Sequence, residues 1–308
     1  MINLVLKKRI KLNTLAIVST QFQLLNAIEV SRNFFKDEKF NIIVLIQNRV
    51  HFQQINNLAK NHGLKVIFSV KFRLIIQYID LIIKLFRFNR KFEINNLILG
   101  HTRNNMMLYS LKKLRYKKLN FVDDGEILEV KDYRPAINKN LFPVNYYSIF
   151  NLESNSFYKF IKNEYKFFKI QSKKNFSDKI LFLGSPYVEH EIISSNLFSS
   201  LLKKIILREG SIDYFMHPRE NEEKFKNIEN INFFNSFLGI ENYILNIDLL
   251  PKKIISFYST ALTSLSFVIE LYKERIYYID LRKYLKHKNI RDVEYDYLEK
   301  NNREYLIE

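Results

Sequence analysis

The chain has 308 residues, of which 47% are hydrophobic, and carries a formal net charge of +17 with no cysteine. That length suits one large or two medium domains. The missing cysteines exclude a disulfide framework, thiolate metal sites and a cysteine nucleophile. The positive surface suits polyanions such as nucleic acid, anionic lipid, or phosphorylated and carboxylated substrates. A bias in base composition would also enrich Lys, Asn, Ile, Phe and Tyr, so charge alone assigns no partner.

The opening, MINLVLKKRIKLNTLAIVST, looks superficially like a signal sequence. Its apolar run Leu15–Val18 is shorter than an h-region of about 7–15 residues, and no stretch reaches the roughly 18 apolar residues of a membrane span. The expectation is a cytoplasmic protein, soluble or peripheral on the inner membrane. Residues 15–19 read as a buried strand, followed by a helix in TQFQLLNAIEVSRNFF with Thr20 as its cap. NIIVLIQ (41–47) is a second strand, 51–62 a helix and LKVIFSV (64–70) a strand. INNLILG (94–100) is a further strand, 102–115 a helix, and LNFVDD the end of another strand.

Residues 132–175, dense in Phe, Tyr and Lys, break this rhythm and read as an inter-domain region with one or more helices. The alternation restarts with strand 179–186 and helix 187–206. IDYFMHP is a strand ending at His217, and KKIISFYST a strand ending at Ser259 and Thr260. ALTSLSFVIELYK is the next helix, and RIYYIDL (275–281) the last strand. Strands alternating with helices imply parallel crossover units. The predicted fold class is α/β, with two Rossmann-like domains facing across a cleft, one over 1–155 and one over 156–308.

Ligands of open α/β sheets bind at the carboxyl ends of strands. Four polar clusters fall there. Asp123–Asp124–Gly125 is either a β-to-α turn or a carboxylate base whose neighbour raises its pKa. In MHPRE (216–220), an ordinary loop competes with a general-acid histidine; Pro218 holds His217 extended, and Arg219 could hold an anion. In FYSTALTSL (257–265), Ser259 or Thr260 caps a helix, and a helix N-terminus with hydroxyls also suits phosphate. In LFLGSP (181–186), Gly184 permits close approach, Ser185 can donate, and Pro186 follows. Glu241 in GIENYI could serve ribose hydroxyls or cap a helix. His51, His62, His101, His190 and His287 have no comparable setting and read as surface or structural.

No GxGxxG or GxxxxGK[ST] is present, so dinucleotide and P-loop readings fail. No HExxH, paired-histidine or DxD metal spacing occurs. A nucleotide-sugar enzyme built this way would neutralise phosphate with basic groups, hydroxyls and helix dipoles.

Taken in order, VSTQFQLLNAIE, FVDDGEI, LFLGSPYVEHEII, YFMHPRE, GIENYIL and SFYSTALTSL resemble the bacterial sialyltransferases of glycosyltransferase family 52. The resemblance implies a GT-B architecture and metal-independent, inverting transfer of sialic acid from CMP-sialic acid. The acceptor would be a terminal galactose, with α2,3 linkage expected, on lipooligosaccharide or capsule. Carried over by residue, Asp124 would be the general base and His217 the general acid for the departing phosphate. Ser259 and Thr260 would bind that phosphate, Glu241 would hold the ribose, and Gly184, Ser185 and Pro186, with Pro218 and Arg219 nearby, would line the nucleotide pocket. No cofactor or metal is implied. The first domain would serve the acceptor and the second the CMP-sugar.

KFRLIIQYIDLIIKLFRFNRKF (71–92) reads as a buried core helix or as an interfacial one, and the second reading would make an anionic membrane surface a partner. Residues 157–169 raise the same question. Two rivals stay open: another inverting GT-B transferase with a different nucleotide sugar, and a nucleic-acid-binding protein. The latter rests on charge alone, with no RNP, helix-turn-helix or zinc signature, so nucleic acid is not an expected partner. A homodimer is compatible with the sequence, which does not decide between one copy and two.

Overall fold

The computed structural model describes residues 9–36, 39–46, 48–71, 75–100, 105–123, 143–171, 174–234, 238–269, 274–284, 295–296, 298–299 and 302–307. It divides into two compact units, residues 1–167 and 168–308.

In the first unit, continuous apolar runs become strands covered on both faces, as parallel sheets require. The elements are β1 (Ile10–Val18), α1 (Gln21–Phe34), β2 (Phe40–Ile46), α2 (Arg49–Asn61), β3 (Lys65–Lys71), α3 (Ile75–Lys91), β4 (Phe92–Leu99), α4 (Asn105–Lys113), β5 (Tyr116–Val122), β6 (Val144–Ser148) and β7 (Tyr158–Lys162). The sheet runs β3-β2-β1-β4-β5-β6-β7, with every pair parallel. Thr20 caps α1 as read from the sequence, its side chain accepting from the Gln23 N–H at 3.2 Å. Leu15, Ile17, Ile43, Leu97 and Leu99 form the centre of the core, all with no exposed surface.

Two expectations change here. The aromatic stretch after residue 132 supplies two more strands, β6 and β7, rather than a helical connector, and the first unit therefore runs to Phe167 instead of 155. Tyr146 is why the sheet continues. Its ring stacks on Phe121 of β5 at 6.1 Å and meets Tyr158 of β7 edge-on at 5.4 Å, so adjacent strands pair through aromatic contacts.

The second unit contains α5 (Lys166–Gln171, entered from the first unit), β8 (Asn175–Phe176), β9 (Ile180–Leu183), α6 (Ser195–Glu209), β10 (Ile212–Phe215), β11 (Ile231–Phe234), α7 (Ile240–Asn246), β12 (Leu249–Leu250), β13 (Lys253–Ser256), α8 (Thr260–Val268), β14 (Ile276–Tyr278) and β15 (Arg303–Glu304). The main sheet runs β11-β10-β9-β13-β14-β15, while β12 pairs with β8 separately. Its core is aromatic. Phe182 stacks on Tyr214 at 5.3 Å and meets Phe257 edge-on at 5.2 Å, while Phe225 meets Tyr214 at 4.8 Å.

The predicted helix over 187–206 is replaced by turns through residue 193 and a helix from Ser195. The chain turns back where the Ile192 N–H donates to the Tyr187 carbonyl at 2.8 Å, and Glu191 adopts a positive φ of 54°. Ser194 then caps α6.

Candidate active site

In each main sheet the first strand of its own chain order lies centrally, with the second and third strands on one side and the fourth on the other. That is the doubly wound order, and its switch point lies between the first and fourth strands. In the second unit these are β9 and β13. Ser185, just past β9, is buried and donates its hydroxyl to the Tyr258 carbonyl, just past β13, at 2.8 Å. This bond ties the two sides of the crevice together.

A cavity of about 180 Å³ opens here, lined by Ser185, Pro186, Tyr187, His190, Ile192, His217, Tyr258, Ser259 and Thr260. Ser259 caps α8, its oxygen accepting from the Ala261 N–H at 3.2 Å. The Thr260 hydroxyl makes no hydrogen bond among the described residues. A helix N-terminus with a hydroxyl at the crevice is a site suited to an anion.

His217 is placed by a compact knot. Its backbone N–H donates to Glu220 Oε2 at 2.6 Å, and its Nδ1 accepts from the Arg219 N–H at 3.2 Å. An imidazole whose Nδ1 accepts carries its proton on Nε2. The imidazole of His217, a lining residue of the cavity, is thus a donor at Nε2.

The Glu220 carboxylate beneath it is fully buried and also accepts from the Tyr214 hydroxyl at 2.7 Å and Lys224 Nζ at 2.8 Å. Burial raises its pKa, and Lys224, Tyr214 and the His217 amide oppose that without cancelling it. Lys224, 3% exposed, also meets Glu189 at 3.1 Å and lies over the Phe198 ring at 4.4 Å. Burial pushes Glu189 up as well. Backbone N–H donors, that of Asn221 among them, and Lys224 outweigh it and hold Glu189 below its ordinary value. A buried network of this kind is stable only while each member is paired.

The structure brings five sequence-chosen residues into the cavity: Ser185, Pro186, His217, Ser259 and Thr260. Gly184, Pro218, Arg219 and Glu241 are not among its lining residues. Gly184 lies under the knot, donating its N–H to the Phe215 carbonyl at 2.9 Å. Pro218 and Arg219 are exposed in the turn that follows His217. Glu241 stands in the first turn of α7 and accepts from the Ser264 hydroxyl of α8 at 2.6 Å. Burial raises its pKa against that hydrogen bond.

Sequence reading missed Glu220, whose place three residues after His217 looks like an ordinary surface charge. It also set aside His190, which lines the cavity four residues beyond Pro186 and donates its N–H to the Pro186 carbonyl at 3.0 Å.

In the first unit, Asp123 directly follows β5. One carboxylate oxygen accepts from the Ser148 hydroxyl at 2.9 Å and the other from the Ile149 N–H at 2.6 Å, while the Asp123 carbonyl accepts from Asn26 at 3.0 Å. Asp123 is therefore a buried brace between the ends of β5 and β6. Asp124 and Gly125 lie outside the described residues.

No protein-family model matches the chain, and no curated protein sequence does. Solved structures do match. A protein of Listeria monocytogenes assigned as a UDP-N-acetylglucosamine 2-epimerase aligns with a TM-score of 0.56 at 9% identity, over 94% of this chain and 88% of its own. The UDP-N-acetylglucosamine 2-epimerase from Rickettsia bellii aligns with a TM-score of 0.54 at 13% identity, over 87% and 79%. The fold is GT-B, with two Rossmann-like units.

Proposed function

We infer that the chain is an inverting glycosyltransferase that binds a nucleotide sugar through its second unit, and that its donor is CMP-sialic acid, as the family 52 resemblance implies. The observation that carries this reading is the cavity at the β9–β13 switch point, which His217 lines together with Ser259 and Thr260 at the start of α8.

The chemistry follows from that pairing. A terminal galactose hydroxyl attacks the anomeric carbon as the bond from that carbon to the phosphate oxygen breaks. The hydroxyl proton passes to Asp124. His217 donates a hydrogen bond from Nε2 to the phosphate oxygen that takes up the electron pair, and CMP departs as the phosphate anion with that charge stabilised. Thr260, Ser259 and the start of α8 hold the phosphate. The product is a cell-surface glycan bearing sialic acid, such as lipooligosaccharide or capsule, with α2,3 linkage.

A second reading keeps the site and exchanges the donor for a UDP-sugar. Its support is that the two aligned enzymes are named for a uridine nucleotide sugar. Titration calorimetry with CMP and UDP separates the two. Tighter binding of CMP, weakened about tenfold in Thr260→Ala by loss of a hydrogen bond to a charged group, supports the first. UDP binding with no CMP binding would overturn it.

A further inference from the structure

Helix α3 has apolar residues on two faces. Leu81, Leu85 and Phe88 are buried, 0%, 1% and 4% exposed, and belong to the core of the first unit. Ile79, Ile82, Ile83 and Phe86 are 52%, 38%, 44% and 63% exposed. Their spacing of three, four and seven residues places all four in one outward stripe. A solvated helix normally turns polar residues outward, and a contiguous stripe of large apolar side chains marks an interaction surface. The acid nearest the stripe, Asp80, is paired with Lys84 at 2.7 Å.

The charge around the stripe is one-sided. Arg87, Arg90 and Lys91 are exposed in its last turns, and the Arg90 guanidinium lies 5.8 Å from the Phe86 ring centre. Asn89 fastens this end to the loop after α4. Its amide donates to the Lys113 carbonyl at 2.6 Å and its oxygen accepts from the Arg115 N–H at 3.3 Å. Exposed Lys113 and Arg115 thereby join the cluster. None of these five cations makes an ion pair among the described residues.

We propose that this face of α3 docks the protein on an anionic lipid surface, with Ile79, Ile82, Ile83 and Phe86 entering the acyl boundary and the arginine–lysine cluster resting on the headgroups. A second copy of the chain would meet this surface with like charges, whereas an anionic leaflet complements both of its parts. No helix among the described residues is long and apolar enough to cross a membrane. The helix therefore lies in the interface with its inner face held by the core.

The test is co-sedimentation of the full chain with vesicles of phosphatidylcholine alone or mixed equally with phosphatidylglycerol. The expected result is binding to the mixed vesicles that weakens with salt. Ile83→Asn with Phe86→Ser lowers it at least about tenfold. Arg87→Gln and Arg90→Gln each lower it about fivefold on the mixed vesicles and leave phosphatidylcholine unaffected. These side chains are exposed, so thermal unfolding should match the wild type and exclude misfolding as the cause. Absence of vesicle binding by the wild type, or binding unchanged in the apolar variant, would overturn the proposal. So would self-association in lipid-free solution that the apolar variant abolishes, because the stripe would then be a protein interface.

Discussion

The Glu220 carboxylate occupies space that a side chain at position 184 would need: an ideal Cβ on Gly184 would lie 1.9 Å from Glu220 Oε2 and 2.9 Å from the Tyr214 ring. A flexible carboxylate could normally move aside. This one is bound by the His217 amide, Tyr214 and Lys224 at once. Gly184→Ala should therefore displace Glu220 and loosen His217. The expected outcome is a melting temperature several degrees lower and turnover down about tenfold or more. Wild-type values for both would show that the knot does not position the histidine.

Glu220 itself should separate packing from pairing. Glu220→Ala leaves Lys224 with Glu189 alone and takes the acceptor from the His217 amide and the Tyr214 hydroxyl in a buried site, which costs about 3 kcal/mol. Glu220→Gln keeps an acceptor for the His217 amide and turns its NH2 towards the Tyr214 oxygen and Lys224, so it should recover much of the activity while staying less stable than wild type. Denaturant unfolding measures the first effect and turnover the second. Equal activity in the two variants would mean that the acceptor is irrelevant.

The two adjacent aspartates should behave oppositely. Asp123→Ala leaves the buried Ile149 N–H and the Ser148 hydroxyl without their acceptor, which costs about 1–3 kcal/mol. Asp124→Asn should reduce transfer by about a hundredfold or more, as loss of a general base does. Guanidinium unfolding curves for both variants, read beside their transfer rates, decide this. A stable Asp123→Ala protein would remove the bracing role.

Glu241 gives a pH signature. Burial raises its pKa in the folded protein from an ordinary value of 4.5. Between 4.5 and the raised value the folded state binds a proton that the unfolded state has released, so stability falls as pH rises through that window. Glu241→Gln removes the titration. The melting temperature of the wild type should therefore decline relative to the variant as pH rises from 4.5 towards neutrality. Parallel melting curves across that range would show that the carboxyl is not desolvated.

Much of this fold was legible in the sequence because its central strands are covered on both faces. NIIVLIQ holds a continuous apolar run and INNLILG ends in a shorter one, and they became β2 and β4. The hydroxyl cap Thr20 was equally readable, and the cap of α8 was narrowed to Ser259 or Thr260, of which the structure uses Ser259. β6 and β7 escaped because VNYYS and YKFIK mix lysine, asparagine and tyrosine, a composition that resembles a connector until Phe121, Tyr146 and Tyr158 are seen to pack together. In the candidate site, residues at strand ends could be read from position alone. Glu220 and His190 could not, because each is brought to the site by a turn within its loop and no period marks a turn of that kind.

The most direct test is transfer of sialic acid from CMP-sialic acid to lactose in EDTA, by wild type, His217→Ala and Asp124→Ala. The expected result is transfer by the wild type that survives EDTA and falls by about a hundredfold or more in each variant. Full activity in His217→Ala would contradict the role given to the Nε2 donor. No turnover of CMP-sialic acid alongside consumption of a UDP-sugar would contradict the donor and leave only the fold and the cavity standing.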